Sequence, residues 1–177
     1  MKSLRHAWDK ICSFENLLEA YRRARKGKSA CACVQRFELD RETNLIRLQR
    51  SLRDGTYRPG GYRTFTIHEP KERLIAAAPF RDRVVQHALC AVTQPFLERS
   101  FIADTYACIE KRGTHRAVDR YTYFARRYRY VLKMDVKRFF PSIDHEIMFD
   151  LLARRLPEPP VQHLIRLIID SGASACE

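Results

Sequence analysis

Apolar residues recur three and four positions apart at the start of the chain. Leu4, Trp8, Ile11, Phe14, Leu17, Leu18 and Tyr21 follow this spacing, which predicts one helix over residues 3–26. Gly27 is the expected stop, and the Lys/Arg cluster before it suits a helix C-terminus. Leu39, Leu45, Ile46, Leu48 and Leu52 predict a second helix over 38–53, ended by Asp54-Gly55. The pattern then changes. Residues 62–68 are rich in aromatic and β-branched side chains, residues 73–77 are mostly apolar, and Glu69-Pro70-Lys71-Glu72 separates them, so a β-hairpin with a charged tip is expected. A helix follows from about Asp82, carrying Val84, Val85, Ala88, Leu89 and Val92, until Pro95 interrupts or restarts it. Gly113-Thr114 opens another, striped by Ala117, Tyr121, Phe124 and Tyr128. Residues 130–136 read as a strand and Phe139-Phe140-Pro141-Ser142 as a tight corner. Asp144 is a natural N-cap for a helix to about Arg155, and a last helix is expected over 161–170. The expected class is α+β, helix-rich, with an incomplete sheet. A strand at 130–136 needs partner strands, and only helices follow it.

Composition narrows the picture. With 177 residues, 45% of them hydrophobic and 31% charged, the chain reads as folded. A chain of this length buries roughly 70% of its unfolded surface and needs no disulfide or metal staple. No apolar run approaches the roughly 20 residues that cross a bilayer. Asp9 and Glu15 interrupt the apolar positions of the first residues, so no signal peptide is read there and a cytoplasmic location is expected. Thirty-three Lys and Arg against 21 Asp and Glu give a net charge of +12. That surplus points to a polyanion, nucleic acid first, although scattered solvated basic faces have the same composition. The six cysteines form no paired CxxC, and Cys31-Ala32-Cys33 has no second half, so reduced thiols are expected rather than a zinc site or a disulfide framework.

The sharpest segment is YVLKMDVKRFFPSIDH, residues 130–145. It delivers Asp135 near a strand end, with an aromatic corner just after it. A carboxylate so placed can hold a divalent metal rigidly, as phosphoryl transfer requires. Spacing alone prefers a plainer reading, in which Asp135 caps a turn and the two phenylalanines pack in the core. Lys71 and Arg73 read by default as a solvated turn. Arg81 and Arg83 are open between a polyanion contact and packing against Asp82.

Residues 130–145 resemble motif A of reverse transcriptases, with an aspartate, two aromatics and Pro-Ser-Ile-Asp-His. IHEPKERLIAAAPFRDRVVQHAL (67–89) resembles the fingers motifs of that family, and DTYACIEKRGTHRAV (104–118) its next segment. The blocks stand in the family's order and span about half of the chain. The wording is most similar to the enzymes of diversity-generating retroelements, with group II intron proteins next. The resemblance implies a helical extension at 1–56, polymerase fingers at 57–128 and the start of the palm at 129–177. It implies that Asp135 is the catalytic carboxylate binding Mg2+, beside the backbone carbonyl of Val136. It makes Phe140 the aromatic gate against a 2′-hydroxyl, and Lys71 and Arg73 the pair that grips the dNTP triphosphate. Arg81, Arg83, Arg112, Thr114 and His115 would lie toward nucleic acid, and His145 would be a first-turn helix residue. The partners implied are an RNA template, a DNA primer, dNTP and an accessory protein of a retroelement, with no membrane.

Downstream of motif A the pattern departs from the family, with no counterpart of its motif B glycine region or its thumb. No Tyr-x-Asp-Asp turn occurs, and no Asp-Asp pair stands anywhere in the sequence. The expectation is therefore a truncated product, a frameshifted fragment or an incomplete sequence, inactive alone. The competing readings are a non-catalytic nucleic-acid-binding module on the same fold, and a basic helical scaffold without polymerase ancestry.

Overall fold

Ser13 breaks the helix expected over 3–26. Its backbone is extended and its Oγ accepts the Asn16 N–H at 3.2 Å, which ends α1 (Ala7–Ile11) and starts α2 (Phe14–Arg25). The computed structural model describes residues 4–68 and 72–173. Gly27 follows α2 at φ 71°, the left-handed conformation expected of a helix stop. The helix expected over 38–53 forms as α4 (Arg41–Arg53), and a shorter helix that was not expected, α3 (Ala32–Glu38), precedes it. α3 escapes the periodicity argument because only Val34 and Phe37 are buried along it. Gly55, at φ 67°, follows α4.

β1 (Arg63–Ile67) and β2 (Arg73–Ala77) form the expected antiparallel hairpin, with Arg63 opposite Ala77 and Ile67 opposite Arg73. All five residues of β1 are exposed. α5 (Phe80–Glu98) runs through Pro95 rather than stopping there. α6 (Thr114–Ala125), a 3-10 turn at Phe140–Ser142, α7 (His145–Ala153) and α8 (Pro159–Ala173) complete the order. The fold is helix-rich α+β with one two-stranded sheet among the described residues.

The strand expected at 130–136 does not form. The segment has no regular secondary structure, and Tyr130, Leu132 and Met134 are 80% exposed or more. Strand geometry is held by backbone bonds to a neighbouring strand, and β1 and β2 pair only with each other.

The chain divides into two compact units, Met1–Gln94 with Asp144–Glu177, and Pro95–Ile143. Among the described residues, the first unit contains all of the buried core. Ile11, Leu17, Val34, Leu45, Leu52, Val84, Val85, Leu156, Val161 and Leu164 are each 2% exposed or less. Tyr21, Phe37 and Phe80 meet in an aromatic cluster that joins α2, α3 and α5, with ring centroids 5.2–6.1 Å apart. Asn16 ties α2 to α5 by donating to the Ala88 carbonyl at 3.1 Å. The N-terminus of α1 is closed from afar: the Glu158 carboxylate accepts the N–H groups of Ala7 at 2.7 Å and Trp8 at 3.0 Å.

The second unit has no buried residue among those described. Polar bonds hold it instead. Asp104 accepts from Arg120 Nε at 2.8 Å, Arg120 Nη2 at 3.3 Å and Tyr106 Oη at 3.0 Å, and these donors keep its carboxyl below the usual range, the Arg120 bond contributing most. Arg112 donates to the carbonyls of Ala103 and Thr105 at 2.8 and 3.1 Å, tying down the loop before α6. No helix among the described residues is long and apolar enough to cross a membrane.

Candidate nucleic-acid and nucleotide site

In the first unit the candidate residues sit around the hairpin and the start of α5. Asp82, 2% exposed, is the hub there. It accepts from Tyr57 Oη at 2.9 Å, Gly60 N–H at 2.7 Å and Arg81 Nε at 3.2 Å. A side chain at Gly60 would meet Pro79 Cγ at 3.1 Å and Asp82 Oδ2 at 3.3 Å, so the backbone must pass close here. Burial, then the charge of Asp82, holds the Tyr57 hydroxyl well above the ordinary phenol range.

The two arginines left open by the sequence therefore part ways. Arg81 does pack on Asp82; it also donates to the Arg58 carbonyl at 2.6 Å and lies over the Tyr57 ring at 5.5 Å. Arg83 lies over the Phe80 ring at 5.4 Å and points Nη2 at Cys33 Sγ, 3.6 Å away. Its Nε is buried without a hydrogen-bond partner. Arg73 is the first residue of β2, opposite Ile67. Lys71 lies outside the described residues.

In the second unit, Asp135 and Val136 lie in the exposed segment that was expected to be a strand. Phe139 and Phe140 are 52% and 80% exposed and touch edge to face, centroids 5.4 Å apart. The plainer reading, with both rings packed in the core, is overturned. Thr114 is the first residue of α6, after an extended Gly113, and His115 is exposed in its first turn. Arg112 is occupied with the two loop carbonyls described above. Among the described residues no group of three or more His, Cys, Asp or Glu could hold a metal ion. One carboxylate and one carbonyl do not fit a two-ion site, whose four positive charges need more acidic oxygen than Asp135 supplies.

The periodicity argument took the apolar stripe of α6 and passed over its polar side. Arg116, Arg120 and Tyr123 stand at helical spacing along it, and Arg127 follows just past its C-cap. Arg120 lies over the rings of Tyr123 and Phe124 at 5.4 and 4.4 Å, and Arg127 over Tyr123 at 5.0 Å and hydrogen-bonded to its hydroxyl. A concavity of about 520 Å³ is lined by Tyr106, Arg112, Arg116, Arg120 and Tyr123 among others, and one of about 510 Å³ by Thr122, Tyr123, Arg126 and Arg127, with Asp119 bordering both. Cations interleaved with an aromatic ring suit a single-stranded phosphate backbone with stacked bases.

Elsewhere Asp144 caps α7 as expected, accepting from Glu146 N–H at 2.9 Å and Ile147 N–H at 3.0 Å, and His145 is the first helical residue.

No protein-family model matches the chain. Over 134 residues, 74% of its length, it is 24% identical to the group II intron-encoded protein LtrA of Lactococcus lactis subsp. cremoris, and equally so to that of strain MG1363. The chain spans 22% of the length of these curated relatives. Over about three quarters of its residues, then, it is distantly similar to a group II intron-encoded protein.

Proposed function

We propose that this chain corresponds to the fingers and first palm edge of an RNA-directed DNA polymerase, a reverse transcriptase of the retroelement or group II intron type. One observation carries the reading: the motif A pattern of residues 130–145 lies in a chain that is similar over 134 residues to a group II intron-encoded protein. In the complete enzyme a primer 3′-hydroxyl would attack the α-phosphate of a dNTP on an RNA template, breaking the α–β phosphoanhydride and releasing pyrophosphate, and Mg2+ would supply charge stabilisation to the transferring group. Asp135 and the Val136 carbonyl would supply part of its coordination. Lys71 and Arg73 would offset triphosphate charge, and Phe140 would exclude a ribose 2′-hydroxyl. Its 80% exposure leaves the ring free for that contact.

The test joins this chain to a palm segment carrying a Tyr-x-Asp-Asp turn and follows primer extension on primed RNA with Mg2+ and dNTPs. Synthesis by the joined protein that disappears in Asp135→Asn, with folding intact by circular dichroism, is the expected result. Undiminished synthesis by Asp135→Asn removes the assignment. The chain alone should give no extension.

The polar side of α6 favours a second reading, a non-catalytic nucleic-acid-binding module. It requires the chain alone to bind single-stranded RNA, with affinity that falls steeply as salt rises. Arg116→Ala should lower the slope of log affinity against log salt by about 0.7. Binding without polymerisation by the joined protein would select this reading.

A further inference from the structure

Cys31 and Cys33 stand apart from the other thiols of the first unit. Cys31 is the extended N-cap residue of α3 and Cys33 lies in its first turn, and their Sγ atoms are 3.0 Å apart. Both are exposed, as is Cys90, whereas Cys12 is buried. A disulfide bond is about 2.0 Å long, so roughly 1 Å of approach separates the pair from covalent closure. Arg83 Nη2 lies 3.6 Å from Cys33 Sγ and adds a positive charge beside the sulfurs. The hydrogen shared between the two sulfurs, which either can donate, couples their titrations, with Cys31 pushed down and Cys33 pushed up. Exchange with Cys31 attacking and Cys33 resolving gives the same products as exchange with the two roles swapped.

We propose that Cys31 and Cys33 form a reversible dithiol–disulfide site that closes by exchange with a low-molecular-weight disulfide. Cys31, having lost its proton, attacks one sulfur of the small disulfide. That S–S bond breaks, and the first small thiolate departs with the electron pair and takes up a proton. Cys33 then loses its proton and attacks Cys31 Sγ, expelling the second small thiolate. The protein pair is oxidised by two electrons and the small disulfide is reduced to two thiols. Closure turns the thiol beside Arg83 into a disulfide sulfur, so the redox state of the pair changes what the guanidinium meets.

Trypsin releases residues 29–36 as one peptide holding both cysteines and no other. The reduced protein is equilibrated with oxidised glutathione, quenched in acid, digested and weighed. The expected peptide is lighter by two hydrogens, carries no glutathione and regains its mass with dithiothreitol. In Cys33→Ser the reaction should halt at a lasting Cys31–glutathione mixed disulfide. A wild-type peptide that keeps glutathione on either cysteine, or stays reduced while Cys90 or Cys108 reacts, overturns the proposal.

Discussion

Asp82 is an acid inside an apolar helix face, and its three donors explain how it can be there. Removing it leaves the Tyr57 hydroxyl and the Gly60 N–H without an acceptor in a buried place. Asp82→Ala should lower stability by about 3 kcal/mol, read as a fall in the urea midpoint at unchanged slope. A loss below about 1 kcal/mol would mean that water replaces the carboxylate. Cys12 makes a second residue-scale prediction. Burial pushes its thiol up to about 12, above an ordinary value of 9.0. The unfolded chain releases this proton first, so the contribution is whole below about pH 9 and is lost as pH rises toward 12. Stability should fall by up to about 1.4 kcal/mol per pH unit in that window, and Cys12→Ala should flatten the fall. The Asp82 network was not legible beforehand, because its Tyr57 and Gly60 partners lie more than twenty positions away. The sequence showed only an acid beside two arginines.

At the scale of the elements, local signals fared well where they were self-contained. The hairpin lies within a residue of its expected bounds, because both strands and their turn are neighbours in the chain. Asp144 caps α7 because an acidic side chain before an apolar run can reach two free N–H groups unaided. Asp144→Ala should cost about 1 kcal/mol by urea denaturation. The bidentate Arg166–Glu146 contact, at 2.6 and 2.9 Å, should limit further fraying by holding α7 to α8. Ser13 was a readable N-cap that the uninterrupted spacing from Ile11 to Phe14 concealed. Residues 130–136 show the opposite case. Their composition suits a strand, but a strand is completed by chain elsewhere, and no local pattern reports whether that chain is present.

Across the whole molecule, apolar burial is uneven. The first unit holds the buried side chains, while Tyr121, Phe124, Tyr128, Val131, Leu132 and Met134 of the second are all at least 36% exposed. Amide hydrogen exchange should therefore be slow in α2, α4 and the buried stretch of α5, and faster by orders of magnitude in α6 and residues 130–136. An environment-sensitive apolar dye should bind the native protein. Equal protection in the two units would contradict this division. Of the candidate site the sequence supplies residue types in a given order, without their distances.

The Glu158 cap on α1 also has a bearing on synthesis by the ribosome. The first helix lacks an acceptor for its leading N–H groups until a residue about 150 positions later has emerged, which at ordinary elongation takes on the order of ten to thirty seconds. During that interval the amino-terminal helices have their apolar faces but not their closing latch. A nascent chain stalled before Glu158 should remain open to protease at α1, and one stalled well beyond it should resist.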